Sequence, residues 1–216
     1  MGESKIRKQQ MEKRTEKILH AALELFCERG IEDTSVEAVA KKAGVGPATI
    51  YRYFDTKAEL AISAGSSYWQ RVAHKYAETL SEAQYQALSG FCQMQAIFDL
   101  FGEIFKNENL FLKFLQEFDI FVRKYQIPQE RLAGYEAEIL NLKPYVTKAL
   151  EKGLRDKSLD FPYTVDEVYF TVMHMMLSLL QKFACNGNIL SSDGQIDLTL
   201  QIKIGGDLLL RGLRSG

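Results

Sequence analysis

The sequence predicts an all-α fold, on three observations. Apolar residues recur at three- and four-residue steps along most of the 216-residue chain. Only four prolines interrupt that pattern. The one stretch that alternates apolar and polar residues, Ile196 to Ile204, has no second such stretch to pair with. A composition of 46% hydrophobic and 25% charged residues suits a folded chain with a core, and about nine helices account for its length.

The elements follow in order. Lys5, Arg7, Lys8, Lys13, Arg14 and Lys17 oppose only Glu12 and Glu16, which makes a local basic arm; alone, such a run reads as a solvated helix start. From Glu12 to Arg29, Ile18, Ala21, Ala22, Leu25 and Phe26 form one helical stripe, closed by Gly30. In Asp33-Thr34-Ser35-Val36-Glu37, Thr34 is positioned to cap a second helix, with Glu37 completing a capping box. Gly44 supplies a sharp turn, and Pro47 suits the first turn of a third helix whose Ile50 and Phe54 face the core. Two short helices joined by a tight glycine turn, after a longer first helix, are what a helix-turn-helix requires.

Asp55-Thr56-Lys57 starts a long helix carrying Leu60, Ala61, Ala64, Tyr68, Val72 and Tyr76. Phe91, Met94, Phe98, Phe101 and Phe105 mark the next helix, and Phe111, Phe114, Phe118, Phe121 and Tyr125 the one after it, with Asn107-Glu108-Asn109 between them. Residues 129–157 form an amphipathic segment that Pro144 kinks or divides. Thr164 can cap a helix running to Asn186-Gly187. The last segment, Ile196 to Leu213, alternates like a strand but lacks a partner, so a helix apolar over a wide arc, buried between subunits, is expected.

Sequence-specific DNA binding needs groups that hold phosphates and groups that read base edges, and residues 34–57 offer both. Ser35 lies at a helix start, where free amides and the helix dipole favour a phosphate. Gly46, Pro47 and Ala48 allow close approach to the major groove without donating side-chain hydrogen bonds. Thr49 can meet a phosphate or a thymine methyl, Tyr51 and Tyr53 can donate to phosphates, Arg52 can take guanine or backbone, and Lys57 is placed for phosphate.

The run Gly44-Val45-Gly46-Pro47-Ala48-Thr49-Ile50-Tyr51-Arg52-Tyr53-Phe54-Asp55-Thr56-Lys57-Ala58-Glu59-Leu60 resembles the signature of the TetR family, G-V-x-x-x-T-[IL]-Y-x-[HY]-F-x-x-K-x-x-L. Upstream, Ala21-Ala22-Leu23-Glu24-Leu25-Phe26, Gly30 and Ala40-Lys41-Lys42-Ala43-Gly44 also fit. The resemblance implies a homodimer on a palindromic operator, with residues 1–57 binding DNA and residues 58–216 binding an effector and dimerising. By position it gives Ser35, Thr49, Tyr51, Tyr53 and Lys57 to phosphate, and Gly46, Pro47, Ala48 and Arg52 to the groove. Tyr53 stands where many members carry His, and residues 46–48 lack the Gln or Ser with which some members read bases, which shifts specificity toward Arg52 and DNA shape.

Eight of the 13 phenylalanines lie between Phe91 and Phe121, where the family places its effector pocket. An aromatic stripe at helical spacing is more often core than pocket. The candidate pocket residues are Tyr68, Trp69, Phe98, Phe101, Phe118, Phe121, Tyr125, Tyr169, Met173 and Met176, which suit a hydrophobic or aromatic effector. Dimer candidates lie on the last two helices: Val172, Leu180, Phe183, Ile202, Gly205 and Leu209.

Charge points the same way once the chain is divided. The net −1 averages 11 Lys and Arg against 9 Asp and Glu in residues 1–57, and 16 against 19 in residues 58–216. Cys27, Cys92 and Cys185 form no CxxC pair, which argues against a disulfide framework or zinc ribbon. No secretory h-region and no uninterrupted apolar run of membrane length occur, so a cytoplasmic protein without a membrane partner is expected. No Gly-rich phosphate loop, metal-ligand spacing or G-x-S-x-G elbow occurs, so neither enzymatic activity nor a cofactor is expected. The competing expectation is a helical adaptor whose basic arm binds DNA or a membrane surface without sequence preference.

Overall fold

The computed structural model describes the backbone of residues 2–187 and 189–214 and, within that span, the side chains from Lys5 onward. The described residues form α1 (Gly2–Asp33), α2 (Val36–Ala43), α3 (Pro47–Tyr53), α4 (Lys57–Ser81), α5 (Ala83–Ala87) and α6 (Gly90–Asn107). They continue with α7 (Asn109–Lys124), α8 (Gln129–Leu140), α9 (Lys143–Arg155), α10 (Val165–Asn186), a single 3-10 turn (Asp193–Gln195) and α11 (Leu198–Gly212). The fold is all-α. Its eleven helices exceed the nine expected, because α5 is too short to show periodicity and because residues 129–157 divide fully, Pro144 falling in the first turn of α9.

Two compact units divide the chain, and neither is continuous. The first takes residues through Arg71 together with Lys113–Glu138, and the second takes Val72–Leu112 with Ile139 onward. These compact units are drawn differently from the functional division at Lys57 expected from charge, pattern and resemblance, because most of α7 and α8 packs with α1 to α4.

In the first unit an aromatic column forms the core. The Phe26 and Phe114 rings lie 6.4 Å apart, Phe114 and Phe118 5.5 Å, and Phe118 and Tyr135 4.8 Å. The Trp69 indole Nε1–H donates to the Tyr135 hydroxyl at 3.1 Å, which satisfies a polar group that burial would otherwise penalise. Gly65 makes room for this column, since a Cβ there would lie 2.7 Å from the Tyr135 ring.

In the second unit α6 is the hub. At its first residue, Gly90, it crosses α9 so closely that a Cβ would lie 2.0 Å from the Gly153 nitrogen. Further along, Gly206 of α11 lies against Phe98, with 2.9 Å from a Cβ position to the Phe98 Cβ. The Asp156 carboxylate accepts from the Gly90 N–H at 2.9 Å and Ser158 Oγ from the Phe91 N–H at 2.9 Å, which satisfies the orphan amides at the start of α6. Thr164 caps α10 through a full capping box with Glu167.

The apolar arc of α11 separates into two stripes. Ile202, Gly206 and Leu210 are buried, whereas Leu200, Ile204 and Leu208 are exposed. Of the dimer candidates, Val172, Leu180 and Ile202 are at most 3% exposed and serve the protomer's own core, while Phe183, Gly205 and Leu209 are half-buried. The surface-facing apolar residues of these helices are instead Phe170 and Met175 on α10 and Leu200, Ile204 and Leu208 on α11. By length and composition α10 could cross a bilayer, but its stripe of Val168, Tyr169, Val172, Met176 and Leu180 is buried in the protein.

Candidate DNA-binding site

The helix-turn-helix is built by local turn chemistry. Helix α1 loses helical geometry at Gly30, whose φ of 81° is left-handed and suits glycine. Thr34 is not the cap of α2: it is buried, and its hydroxyl lies 2.7 Å from the Gly30 carbonyl and 3.2 Å from that of Leu25, closing the bend. The cap is Ser35, whose hydroxyl accepts from the Ala38 N–H at 3.1 Å. Gly44 ends α2 with a φ of 68°, and the Val45 N–H returns to the Ala40 carbonyl at 3.0 Å. Gly46 precedes α3 in extended geometry, with Pro47 in the first turn.

Helix α3 is anchored by Ile50 and Phe54, 1% and 7% exposed. Its opposite face presents Gly46, Pro47, Ala48, Tyr51 and Arg52 to solvent, with Thr49 and Tyr53 half-buried. The structure therefore displays the groove-facing candidates on one short helix, with Ser35 exposed at the start of α2. The Arg52 guanidinium lies 5.3 Å from the Tyr53 ring centre, a cation–π contact that orders both.

Lys57 differs in its partners. Its Nζ donates to the Glu32 main-chain carbonyl at 2.6 Å, which ties the start of α4 to the end of α1. An ammonium carries three donors, so phosphate binding through the others is compatible with this bond.

Residues distant in sequence brace this arrangement, and no local pattern announces them. The Glu32 carboxylate accepts from the Lys124 ammonium and, at 2.9 Å, from the Tyr125 hydroxyl; these hydrogen bonds, the Lys124 one foremost, hold its pKa below the ordinary glutamate value. Arg131 of α8 meets Glu59 and lies 3.4 Å from the Thr56 hydroxyl, which itself caps α4 through the Glu59 N–H. Helices α7 and α8 thus grip both flanks of the helix-turn-helix within the first unit.

The effector candidates divide between the units. Tyr68, Trp69, Phe118, Phe121 and Tyr125 belong to the first, where Trp69 and Phe118 join the aromatic column and Tyr125 is half exposed on Glu32. Phe98, Phe101, Tyr169, Met173 and Met176 belong to the second, all buried except the half-buried Met173. The second unit also has a hollow of about 430 Å³ lined by Tyr85, Gln86, Gln93, Asn141, Tyr145 and Lys148 among others. The buried Tyr85 hydroxyl has no hydrogen-bond partner in the structure, and desolvation pushes its pKa up to about 12. Among the described residues no group of three or more His, Cys, Asp or Glu side chains could hold a metal ion.

Comparison with known proteins bears on this site. Residues 18–64 match the family model described as bacterial regulatory proteins, tetR family. The HTH-type transcriptional repressor KstR of Rhodococcus jostii is 35% identical over 72 residues, 33% of this chain and 34% of that protein. The match thus spans about a third of the curated relative's length. Over the full fold, the fatty acid degradation regulator FadR from Bacillus halodurans superposes with a TM-score of 0.68 at 18% identity, covering 94% of this chain and 97% of that one. The FadR of Bacillus subtilis, solved in complex with stearoyl-CoA, superposes with a TM-score of 0.63 at 20% identity, covering 92% and 98%. Residues 18–64, which carry the signature residues of α2 to α4, thus match the TetR-family model, and over 94% of the chain the all-helical fold is the one shared with FadR from Bacillus halodurans.

Proposed function

We propose that the protein is a ligand-responsive, sequence-specific DNA-binding regulator, a repressor that a hydrophobic small molecule releases from its operator. The observation that carries this reading is the solvent-facing surface of α3, with Gly46, Pro47, Ala48, Tyr51 and Arg52 on one side and a buried anchor on the other. Ser35, Thr49, Tyr51, Tyr53 and Lys57 hold phosphates, and Arg52 with the small residues enters the major groove. The functional division follows: residues 1–57 bind DNA, and residues 58–216 carry the effector site and the dimer contacts, in the cytoplasm.

The effector is a large apolar molecule held in the second unit among Phe98, Phe101, Tyr169, Met173 and Met176. The stearoyl chain of stearoyl-CoA, the ligand in the Bacillus subtilis FadR complex, is an apolar probe of that kind. A homodimer forms through α10 and α11, which sets two recognition helices on a palindromic site. The exposed stripe of Leu200, Ile204 and Leu208 supports this assignment, and Gly205→Leu shifts the sedimentation mass toward the monomer.

Selection from a random duplex pool tests the reading. A palindromic site bound roughly 10³-fold or more above random DNA is expected. Binding that is salt-sensitive yet indifferent to sequence would replace it with the adaptor reading.

A further inference from the structure

The start of α1 lies outside residues 18–64, the segment matched by the family model, and it carries most of the basic arm. It is helical from Gly2 onward. Arg7, Gln10, Met11 and Arg14 fall at three- and four-residue steps and so share one face of that helix. They line a surface hollow in the first unit together with Lys8, Arg52 and Tyr53. Four cations and no carboxylate line it, and two of its walls, Arg52 and Tyr53, are residues of α3.

We propose that this hollow is a second DNA contact, in which Arg7, Lys8 and Arg14, beside the groove-facing Arg52, hold backbone phosphates flanking the bases that α3 meets. The proposal rests on the DNA-binding reading and extends its footprint. An occupant of the hollow adjoins whatever α3 touches, and beside base edges that neighbour is the sugar-phosphate backbone. From Arg7 to Arg14 the helix advances about 10 Å, which matches about three base-pair steps of duplex. Lys8 reaches Glu12 at 3.9 Å, but both side chains are more than half exposed. Such a pair gives way readily to a phosphate. The open, solvated wall suits a charged strand lying along it. Phosphate binding of this kind adds affinity and salt dependence and carries no sequence information.

The experiment uses the full chain and its R7Q/K8Q/R14Q variant. Fluorescence anisotropy is measured across a salt series on two labelled duplexes: a site recovered by selection with one further helical turn of DNA on each side, and the same site trimmed to its ends. On the longer duplex the magnitude of the variant's log–log salt slope is expected to fall by about 2–3, at about 0.9 for each phosphate no longer neutralised. Its preference for the selected site over random DNA stays unchanged, and it binds the trimmed duplex almost as well as the unaltered protein does. An unchanged slope on the longer duplex overturns the proposal, as does an equal loss on both duplexes, which would mean long-range attraction. Weakened binding to phosphatidylglycerol vesicles with duplex binding untouched assigns the arm to membranes and overturns it too. If the unaltered protein prefers no sequence at all, the DNA-binding reading itself fails, an outcome distinct from these. Circular dichroism of the variant checks that the exposed substitutions leave the helices intact.

Discussion

The glycine crossing of α6 and α9 yields the sharpest stability prediction. A methyl group at Gly90 would lie 2.0 Å from the Gly153 nitrogen, 2.2 Å from its Cα and 2.7 Å from the Ala149 carbonyl oxygen. Non-bonded carbon atoms settle at about 3.5–4.0 Å, so Gly90→Ala must push the two helices about 1.5 Å apart. All three obstacles are backbone atoms, so no side-chain rotation relieves the overlap. Overpacking of this kind costs about 1–3 kcal/mol, and backbone obstruction puts this case near 3. The entropy gained on replacing glycine returns at most about 1 kcal/mol. At about 2–4 °C per kcal/mol for a chain of this size, a net loss of about 2–3 kcal/mol lowers Tm by about 4–12 °C. Gly102 is the internal control. It lies on the same helix with nothing within 4 Å of its Cβ position, so Gly102→Ala raises stability by about 0.4–1 kcal/mol. Far-ultraviolet circular dichroism melts of both variants at one protein concentration check this, because association also moves Tm. A Gly90→Ala protein that melts at or above the unaltered one would refute the close crossing and with it the packing of the second unit.

Other perturbations address the first unit. Arg52→Ala is expected to relax preference at particular base pairs at a cost of about 1–3 kcal/mol, and a uniform loss across sequences reassigns Arg52 to the backbone. Lys57→Ala weakens binding to all duplexes and lowers the salt slope by about 1, as read by the same anisotropy titration; an unchanged slope leaves Lys57 only its tie to Glu32. Tyr135→Phe removes the acceptor of the Trp69 indole and costs about 0.5–1.5 kcal/mol, read by urea unfolding through the fluorescence of Trp69, the single tryptophan. For Glu32 the folded pKa is depressed, so its contribution is present above the unfolded glutamate value and is lost as pH falls through the folded value. Glu32→Gln is therefore less stable than the unaltered protein at neutral pH, and the gap in urea midpoint closes on acidification below the ordinary glutamate range. A gap that widened toward acid would contradict the Lys124 and Tyr125 contacts.

Which of these features can be read from the sequence follows from how far apart their partners lie. The helix-turn-helix is legible because Gly44, Pro47, Ile50 and Phe54 act within a few residues of one another. The cap of α2 lies one position beyond the expected one: Thr34 and Ser35 are chemically equivalent caps, and the tertiary bonds of Thr34 to Leu25 and Gly30 decide between them. The strand-like alternation of Ile196 to Ile204 gives way to a helix, because a strand without a neighbour leaves its amide groups unpaired. Periodicity locates the apolar arc of α11 but cannot tell that Ile202 meets the protomer core while Ile204 faces out. The bonds of Glu32 to Lys124 and of Trp69 to Tyr135 span 92 and 66 residues, and no local pattern encodes such pairings. The aromatic stripes are visible, yet their spacing alone does not distinguish rings that fill a core, as Phe114 and Phe118 do, from rings that line a cavity.

The discontinuity of the first unit bears on how the chain is made. Its aromatic column needs Phe114, Phe118 and Tyr135, so the helix-turn-helix cannot bury its full core while only residues through Arg71 have been synthesised. At the usual pace of translation, several seconds separate Arg71 from Glu138. During that interval α1 and α4 expose the apolar faces that α7 and α8 later cover. Closing the intervening loop carries an entropic cost that grows only slowly with its length, so the delay is set by synthesis. The helix-turn-helix therefore completes its core only once the segment that packs on its flanks has also been made.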